Sequence, residues 1–389
     1  MSDRKNEVGI LVLGGHVQAL TIVRIAGYNN IPCAVSSNDK LCLARYSKYC
    51  SKFYHYTSPE LLDRLIEIGE SNLHRNWVVF PTNDYQVQIL SKNKKKLEQY
   101  FTLAVDDWEK ASIFWSKKQT YRLAKKNQVP IPKTFTPTDI EEIGSIDINF
   151  PCIIKPDVMH IFRSKYGVKV LKCSSRDELI SNYQKIKSEV PDLELIVQEI
   201  IDGSYDNQYS VGILCINNRI VTHIVAKRAR QHPINFGNAT TFAYSANIPE
   251  ILQYAKKIIE NSGFTGICEV EFMYDAKSSE YKLLEVNPRT WKWHGIQIPA
   301  NTPFVLNYFN YLVNKQIPEF NSTEKPATWR HITVDLSIFI LMLLKGLNPF
   351  RHSKQKVKHK HRFAVLNIKD LKPFLMELLL IPHIVLTRK

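Results

Sequence analysis

The chain has 389 residues, which is enough for two or three domains with cores of their own. Its 44% hydrophobic and 23% charged residues are typical of a folded globular protein. No apolar run reaches the roughly 18 residues of a membrane span, and the polar residues 1–7 are not expected to act as a secretion signal. Seven cysteines without a Cys-x-x-Cys pair predict reduced thiols in a cytoplasmic protein, and argue against a disulfide framework or a zinc site.

The net charge of +15 is distributed unevenly. Residues 325–389 hold 13 Lys and Arg against three acids, a net charge of +10, and the preceding 324 residues supply the remaining +5. A basic terminal segment favours an anionic partner, which could be a phospholipid surface, a nucleic acid or a phosphate-bearing substrate.

The first part of the chain, residues 1–112, predicts an open α/β domain. An apolar run at 8–13, typical of a buried parallel strand, is followed by a glycine pair, a helical pattern and a second strand at 31–35. A further strand is predicted at 77–81. The glycine pair lacks the third glycine and the acid of the dinucleotide fingerprint, so we do not expect a bound dinucleotide.

The next region alternates helical and extended patterns around lysines. A helix is predicted over Ser116–Lys126, and the prolines that follow impose an extended chain. An apolar strand at 150–156 carries Lys155 near its end, where a buried ammonium group is costly unless an anion meets it. After a loop, a further strand is predicted at 167–172.

A second group of strands follows. A strand at 195–203 runs into a turn, and two strands at 209–216 and 219–228 form a hairpin around an Asn-Asn turn. The second hairpin strand ends in a basic and polar cluster, and a helix is predicted at 250–262.

Two short strands at 267–272 and 281–287, joined by a polar turn, carry most of the chemistry. Because side chains alternate across a strand, Glu269 and Glu271 share one face, as do Glu285 and Asn287. Carboxylates that lie close together repel each other, whereas Mg²⁺ is typically held by one or two carboxylates plus substrate phosphates. The hairpin therefore predicts a metal–nucleotide site; the alternative is an amphipathic hairpin with solvated acids.

The C-terminal segment contains two apolar runs, at 335–344 and 371–381, on either side of a basic stretch at 351–362. Both runs are too short to span a bilayer and suit a core or interfacial helix. One interpretation is a helical appendage on the preceding domain. The other is a peripheral contact of residues 325–389 with an anionic membrane, at its inner face. Nucleic-acid binding is not expected, because the stretch lacks interleaved aromatic residues.

The Glu-x-Asn-Pro-Arg run at Glu285–Arg289, after a Gly-x-x-x-Val-Glu-Phe strand, resembles the signature of the ATP-grasp superfamily. The resemblance extends over about residues 8–300 and is closest to ATP-dependent carboxylate–amine ligases, the group that includes D-aspartate ligases. It implies an α/β and α+β architecture with an ATP-grasp fold. The implied domains are a Rossmann-like pre-domain at 1–112, an ATP-grasp domain at 113–320 with subdomains 113–205 and 206–320, and a helical basic appendage at 321–389.

The resemblance also implies roles for individual residues. The metal ligands would be Glu271, Glu285 and Asn287, which would hold two Mg²⁺ ions, with Mn²⁺ as an alternative. The catalytic residues would be Arg289, Lys227 and Arg228. The ATP-binding residues would be Lys117, Lys155, Lys169, Gln198, Glu199, Ile201 and Asp206. Lys118 competes with Lys117, and Asp202 with Asp206.

The implied activity is ATP-dependent formation of an amide bond between a carboxylate and an amine, through an acyl phosphate. The substrates would be small molecules or carrier-linked, and a homo-oligomer is left open. Two alternatives remain: a carboxylase that acts through carboxyphosphate, and a non-catalytic ATP-binding scaffold at a membrane surface. The loop at 157–166 departs from the family, because its glycine-rich lid is reduced here to Gly167.

Overall fold

The computed structural model describes residues 8–158, 162, 165–201, 207–234, 239–320, 325–350 and 360–387. Within these ranges the strands are β1 Ile10–Leu13, β2 Cys33–Ser37, β3 Lys52–His55, β4 Val78–Phe80, β5 Thr102–Leu103, β6 Thr134–Phe135, β7 Cys152–Pro156, β8 Leu171–Cys173, β9 Leu195–Glu199, β10 Gln208–Ile216, β11 Arg219–His232, β12 Ala239–Ser245, β13 Gly266–Asp275, β14 Glu280–Asn287, β15 Ala327–Arg330 and β16 Lys360–Phe363. The α-helices are Val17–Tyr28, Leu61–Glu70, Asp84–Lys92, Lys94–Leu97, Trp108–Trp115, Lys117–Lys126, Ile140–Ser145, Arg176–Glu189, Pro249–Glu260, Gln297–Ala300, Phe304–Asn314, Ile332–Leu344 and Lys372–Thr387.

The N-terminal strands form a parallel sheet in the order β3-β2-β1-β4-β5. Strands β1, β2 and β4 are buried along their whole length, as expected for continuous apolar runs in a parallel sheet. The predicted open α/β domain is confirmed.

Two further sheets follow. Strands β6-β9-β7-β8 form a four-stranded antiparallel sheet, and β14-β13-β10-β11-β12-β15-β16 form a seven-stranded sheet. The last two strands of the larger sheet come from the C-terminal segment, which therefore contributes strands as well as helices. Strand β15 pairs antiparallel with β12, and β16 pairs parallel with β15.

A buried ion pair connects the C-terminal segment to a helix of the N-terminal domain. Arg24, in the helix Val17–Tyr28, donates from Nε to Asp370 Oδ2 over 2.8 Å and from Nη2 to the carbonyl of Val365 over 2.7 Å. Loss of either partner would leave an uncompensated buried charge, which costs about 3–5 kcal/mol.

Some boundaries differ from the sequence prediction. The strand predicted at 167–172 begins only at Leu171, because Gly167 adopts φ +68° and the ladder with β7 pairs only Leu171–Cys173. Lys169 therefore lies in a bend rather than on a strand. The strand predicted at 195–203 ends at Glu199. No helix among the described residues is long and apolar enough to cross a membrane.

Candidate active site

A cavity of about 1010 Å³ is lined by residues from all three sheets and their connections. The N-terminal domain contributes Asp84, the four-stranded sheet contributes Lys155 and the seven-stranded sheet contributes Glu271. Clefts where domains meet are common sites for small ligands.

The acidic wall of the cavity comes from the β13–β14 hairpin. Glu271 pairs with Glu285 and Glu269 pairs with Asn287, and the register shifts immediately after Glu271. The Asn287 amide donates to Glu271 Oε1 over 3.0 Å. The alternation read from the sequence therefore does bring these side chains together.

The acids differ in their protonation. Burial, and then repulsion from Glu271, raises the pKa of Glu269 to about 8, and the Trp293 indole N–H donates to Glu269 Oε1 over 2.9 Å. Burial also raises the pKa of Glu271. At Glu285 burial again opposes ionisation, but the surrounding lysines and arginine outweigh it and hold the pKa at about 2. Glu285 is therefore ionised at neutral pH.

Lys155 faces the acids from β7. Only 7% of this residue is exposed, and Nζ donates to Tyr121 Oη and to Gln198 Oε1, each over 2.8 Å. Burial lowers the pKa of the Lys155 ammonium to about 8, although Glu285 and Asp157 oppose that shift.

The two adjacent lysines at the start of the helix Lys117–Lys126 diverge. Lys117 lines the cavity. The Lys118 backbone N–H donates to Asp157 Oδ1 over 2.7 Å, and its ammonium group pairs with Glu194 at 3.3 Å. The structure therefore brings Lys117, and not its competitor, to the cavity.

The remaining ATP-binding candidates that are described also line the cavity: Lys169, Gln198, Glu199 and Ile201. The Glu199 carboxylate accepts from the Lys133 backbone N–H over 2.7 Å and from Lys282 Nζ over 3.0 Å. Its side chain therefore makes contacts that stabilise the fold. Asp206 and its competitor Asp202 lie outside the described residues.

Lys227 and Arg228 are neighbours on β11 and therefore point to opposite faces. Arg228 is 3% exposed, pairs with Glu271, and donates from Nε to Thr240 Oγ1 over 2.8 Å. Lys227 Nζ lies 5.2 Å from the centroid of the Tyr209 ring and does not belong to the cavity lining. The structure brings Arg228 to the site and Lys227 to the other face.

Arg289 is held by an acid from the N-terminal domain. Its Nε donates to Asp84 Oδ1 over 2.6 Å and its Nη2 donates to Asp84 Oδ2 over 3.1 Å. Sequence reasoning missed Asp84, although a signal was present: it follows β4 in a polar Thr-Asn-Asp run, and ligands of open α/β sheets bind beyond the carboxyl ends of strands.

The donor set fits a hard dication that shares its coordination with a ligand. Among the described residues, no three His, Cys, Asp or Glu side chains converge as a ready-made metal site. Two carboxylates, Glu271 and Glu285, face each other beside the amide of Asn287, whose Oδ1 accepts from Arg289 over 3.2 Å. Oxygen donors in this number suit Mg²⁺ when phosphate oxygens complete the shell.

The cavity thus combines the lysines Lys117 and Lys155 with the carboxylates Glu271 and Glu285. Residues 115–291 match the family model of the ATP-grasp domain, and the predicted fold is confirmed. The matched range contains Lys117, Lys155, Glu271, Glu285 and Arg289.

One curated relative and two solved structures illustrate the similarity. The chain is 22% identical to D-aspartate ligase of Enterococcus faecium (strain Aus0004) over 318 residues, which are 74% of this chain and 73% of the ligase. It superposes on the biotin carboxylase domain of 2-oxoglutarate carboxylase from Hydrogenobacter thermophilus, a complex with MgADP and bicarbonate, with a TM-score of 0.65, 14% identity and coverage of 83% and 73%. For L-amino acid ligase from Bacillus licheniformis the TM-score is 0.62, with 12% identity and coverage of 84% and 80%.

Proposed function

We propose that this protein is an ATP- and Mg²⁺-dependent ligase that joins a carboxylate to an amine through an acyl phosphate. The observation that carries the proposal is the anionic Glu285, opposite Glu271, in a cavity that also holds Lys155 and Arg289. The similarity to D-aspartate ligase over 74% of the chain supports a ligase activity.

The reaction has two steps in this proposal. A carboxylate oxygen of the substrate attacks the γ-phosphorus of ATP, the bond to the β-phosphate oxygen breaks, and ADP leaves. The amine then attacks the acyl carbon, inorganic phosphate leaves, and the amine loses a proton. Chemistry of this type depends on positioning and charge neutralisation rather than on a protein nucleophile.

The chain's own residues have distinct parts in these steps. Lys155 and Lys117 hold phosphate oxygens, and Arg289 binds the oxygens of the transferred group. Glu285, Glu271 and Asn287 would hold two Mg²⁺ ions, which neutralise charge on the phosphates. For Glu271 this requires that its ion pair with Arg228 opens.

The test is an ADP-release screen of the full chain with MgATP over amino acids and amine acceptors, including carrier-linked amines, with and without bicarbonate. We expect ADP release that needs both a carboxylate and an amine, with an amide product seen by mass spectrometry. Bicarbonate-dependent release without an amine would replace the proposal by a carboxylase. Nucleotide binding without turnover over the whole screen would favour a scaffold.

Nucleotide binding should depend on the protonation of Lys155. Because its pKa in the empty cavity is about 8 and an adjacent phosphate favours the charged form, binding above this pH requires proton uptake. We therefore expect affinity for a non-hydrolysable ATP analogue to fall as the pH rises through this value. Calorimetry in buffers with different ionisation enthalpies measures the proton uptake.

The variant Lys155→Met isolates this effect from Glu269, which titrates in the same range. We expect the variant to lose the proton uptake, and Lys172→Met, an exposed lysine on β8, to retain it. Unchanged uptake in Lys155→Met would show that another group is responsible.

Asp84 should act as a positioning residue for Arg289. In Asp84→Asn the guanidinium group loses a charged partner and is oriented less firmly, but a repulsive carboxylate no longer faces the phosphates. We expect kcat to fall about tenfold while nucleotide affinity stays equal or improves. Kinetics that separate kcat from KM check this, with Asp63→Asn, an exposed acid in the same domain, as the control. A rise in KM at constant kcat would contradict a positioning role.

A further inference from the structure

Two helices of the C-terminal segment present apolar faces that the described part of the chain leaves largely exposed. Their exposed leucines and isoleucines recur at helical spacing, which places each set on one face. We call these sets the apolar stripes. They consist of Leu336, Ile340, Leu343 and Leu344 on the helix Ile332–Leu344, and of Leu371, Leu375, Leu378 and Leu379 along the helix Lys372–Thr387.

The opposite faces of both helices are packed, so their place in the fold is fixed. Ile338 and Met342 are buried against Ile234, and Phe374 packs against the core under the N-terminal sheet. Exposure is greatest at the ends of the stripes, with Leu344 80% and Leu379 72% exposed. Single exposed leucines are normal in proteins, but contiguous sets of this kind mark interaction surfaces.

All three acids of residues 325–389 point inwards. Asp335 pairs with Arg230, Asp370 pairs with Arg24, and Glu377 pairs with His331, and each acid is buried. Two of these acids are thus paired with arginines and the third with a histidine, and all three lie below the surface of the segment.

The described lysines of the same segment are exposed. Lys345 follows one stripe directly, Lys369 and Lys372 flank the start of the other, and Lys360 lies on β16. The sequence between residues 351 and 359 adds four more Lys and Arg and no acid. Among the described residues of this segment, the exposed charged side chains beside the stripes are therefore lysines.

We propose that the apolar stripes bind the surface of an anionic phospholipid bilayer, with the helices lying in the interface. Leucines that enter the boundary between headgroups and acyl chains, together with lysines at the headgroups, match the two terms of interfacial binding. A second copy of the chain fits less well, because it would place like charges against each other. No stripe residue lines the ATP-grasp cavity, so this inference is independent of the proposed activity.

The experiment is co-sedimentation of the full chain with vesicles of phosphatidylcholine and phosphatidylglycerol, against vesicles of phosphatidylcholine alone, in low and high salt. We expect binding to the anionic vesicles only, weakened by salt. The variant Leu344→Glu/Leu379→Glu should lower the partition coefficient about tenfold or more. Leu73→Glu is the matched control, since Leu73 is 60% exposed in the N-terminal domain, and it should bind normally.

A second variant tests the proposal even if the leucine double variant misfolds. Lys345→Gln/Lys369→Gln changes only exposed lysines, and it should weaken binding several-fold in low salt. Failure of the full chain to bind either vesicle in low salt overturns the proposal. So does equal loss of binding in the Leu73→Glu control. A dimer, seen by light scattering, that the double leucine variant dissociates while vesicles remain unbound would instead assign the stripes to self-association.

Discussion

Glu285→Gln should lower the rate of ADP formation about a thousandfold and leave the fold intact. Glu285 is the acid that the surrounding cations keep ionised, and the substitution removes the charge that a dication needs without changing the shape of the side chain. Nucleotide binding without Mg²⁺ should persist or tighten, because Lys155, Lys117 and Lys169 are then less neutralised. ADP release and metal-free nucleotide titrations measure the two effects.

The matched control is Glu280→Gln, an exposed glutamate at the far end of the same strand, which should retain full activity. Wild-type turnover in Glu285→Gln would show that the site assignment is wrong. A parallel loss of metal-free nucleotide binding would point to a disturbed cavity instead.

The same substitution has a signature in stability. The pKa of Glu285 is lowered from 4.5 to about 2 in the folded chain, so its charge stabilises the fold above the unfolded-state pKa. We expect Glu285→Gln to be less stable than wild type at neutral pH. The difference in the free energy of unfolding should shrink as the pH falls from 4.5 towards 2. Urea denaturation at several pH values measures it.

Arg289→Ala should lower ADP formation about a hundredfold or more, with a smaller effect on ATP affinity, because its guanidinium group stabilises charge that develops during transfer. The fold should survive, since the Asp84 side chain is 50% exposed and can be hydrated once its partner is removed. Single-turnover ADP formation at saturating ATP separates the chemical step from binding.

Arg289→Lys tests what the planar fork contributes, since it keeps the charge but loses the bidentate contact with Asp84; an intermediate rate is expected. Combining Arg289→Ala with Asp84→Asn completes a double-mutant cycle. If Asp84 acts through Arg289, the double variant should be no slower than Arg289→Ala. Fully additive losses would contradict that coupling.

The acidic hairpin could be predicted because its information is local. Strand alternation placed Glu269 with Glu271 and Glu285 with Asn287 on one face of each strand, and the register of the hairpin pairs Glu271 with Glu285. A position of Lys155 close to anionic groups was predictable for a similar reason. An ammonium group at the end of an apolar strand is costly to bury unless an anion lies near it.

Other features depend on packing between distant segments. Alternation separates Lys227 from Arg228, but only the pairing of β11 with β10 and β12 decides which of them faces the cavity. Asp84 and Arg289 lie 205 positions apart, and their contact exists only because the N-terminal sheet docks against the β13–β14 hairpin. Lys169 was assigned to a strand because Gly167 gave no sign that the ladder would begin so late.

The positions of β15 and β16 in the larger sheet determine what a truncated form of the chain would lack. The last two strands of the seven-stranded sheet, β15 and β16, come from residues beyond 320. The carboxylate that pairs with Arg24 belongs to Asp370, in the same segment. A fragment that ends before residue 321 would leave β12 as an unpaired edge strand that is prone to aggregation. It would also leave the guanidinium group of Arg24 buried without its carboxylate partner. The part of the chain before residue 321 therefore depends on the C-terminal segment to complete its larger sheet.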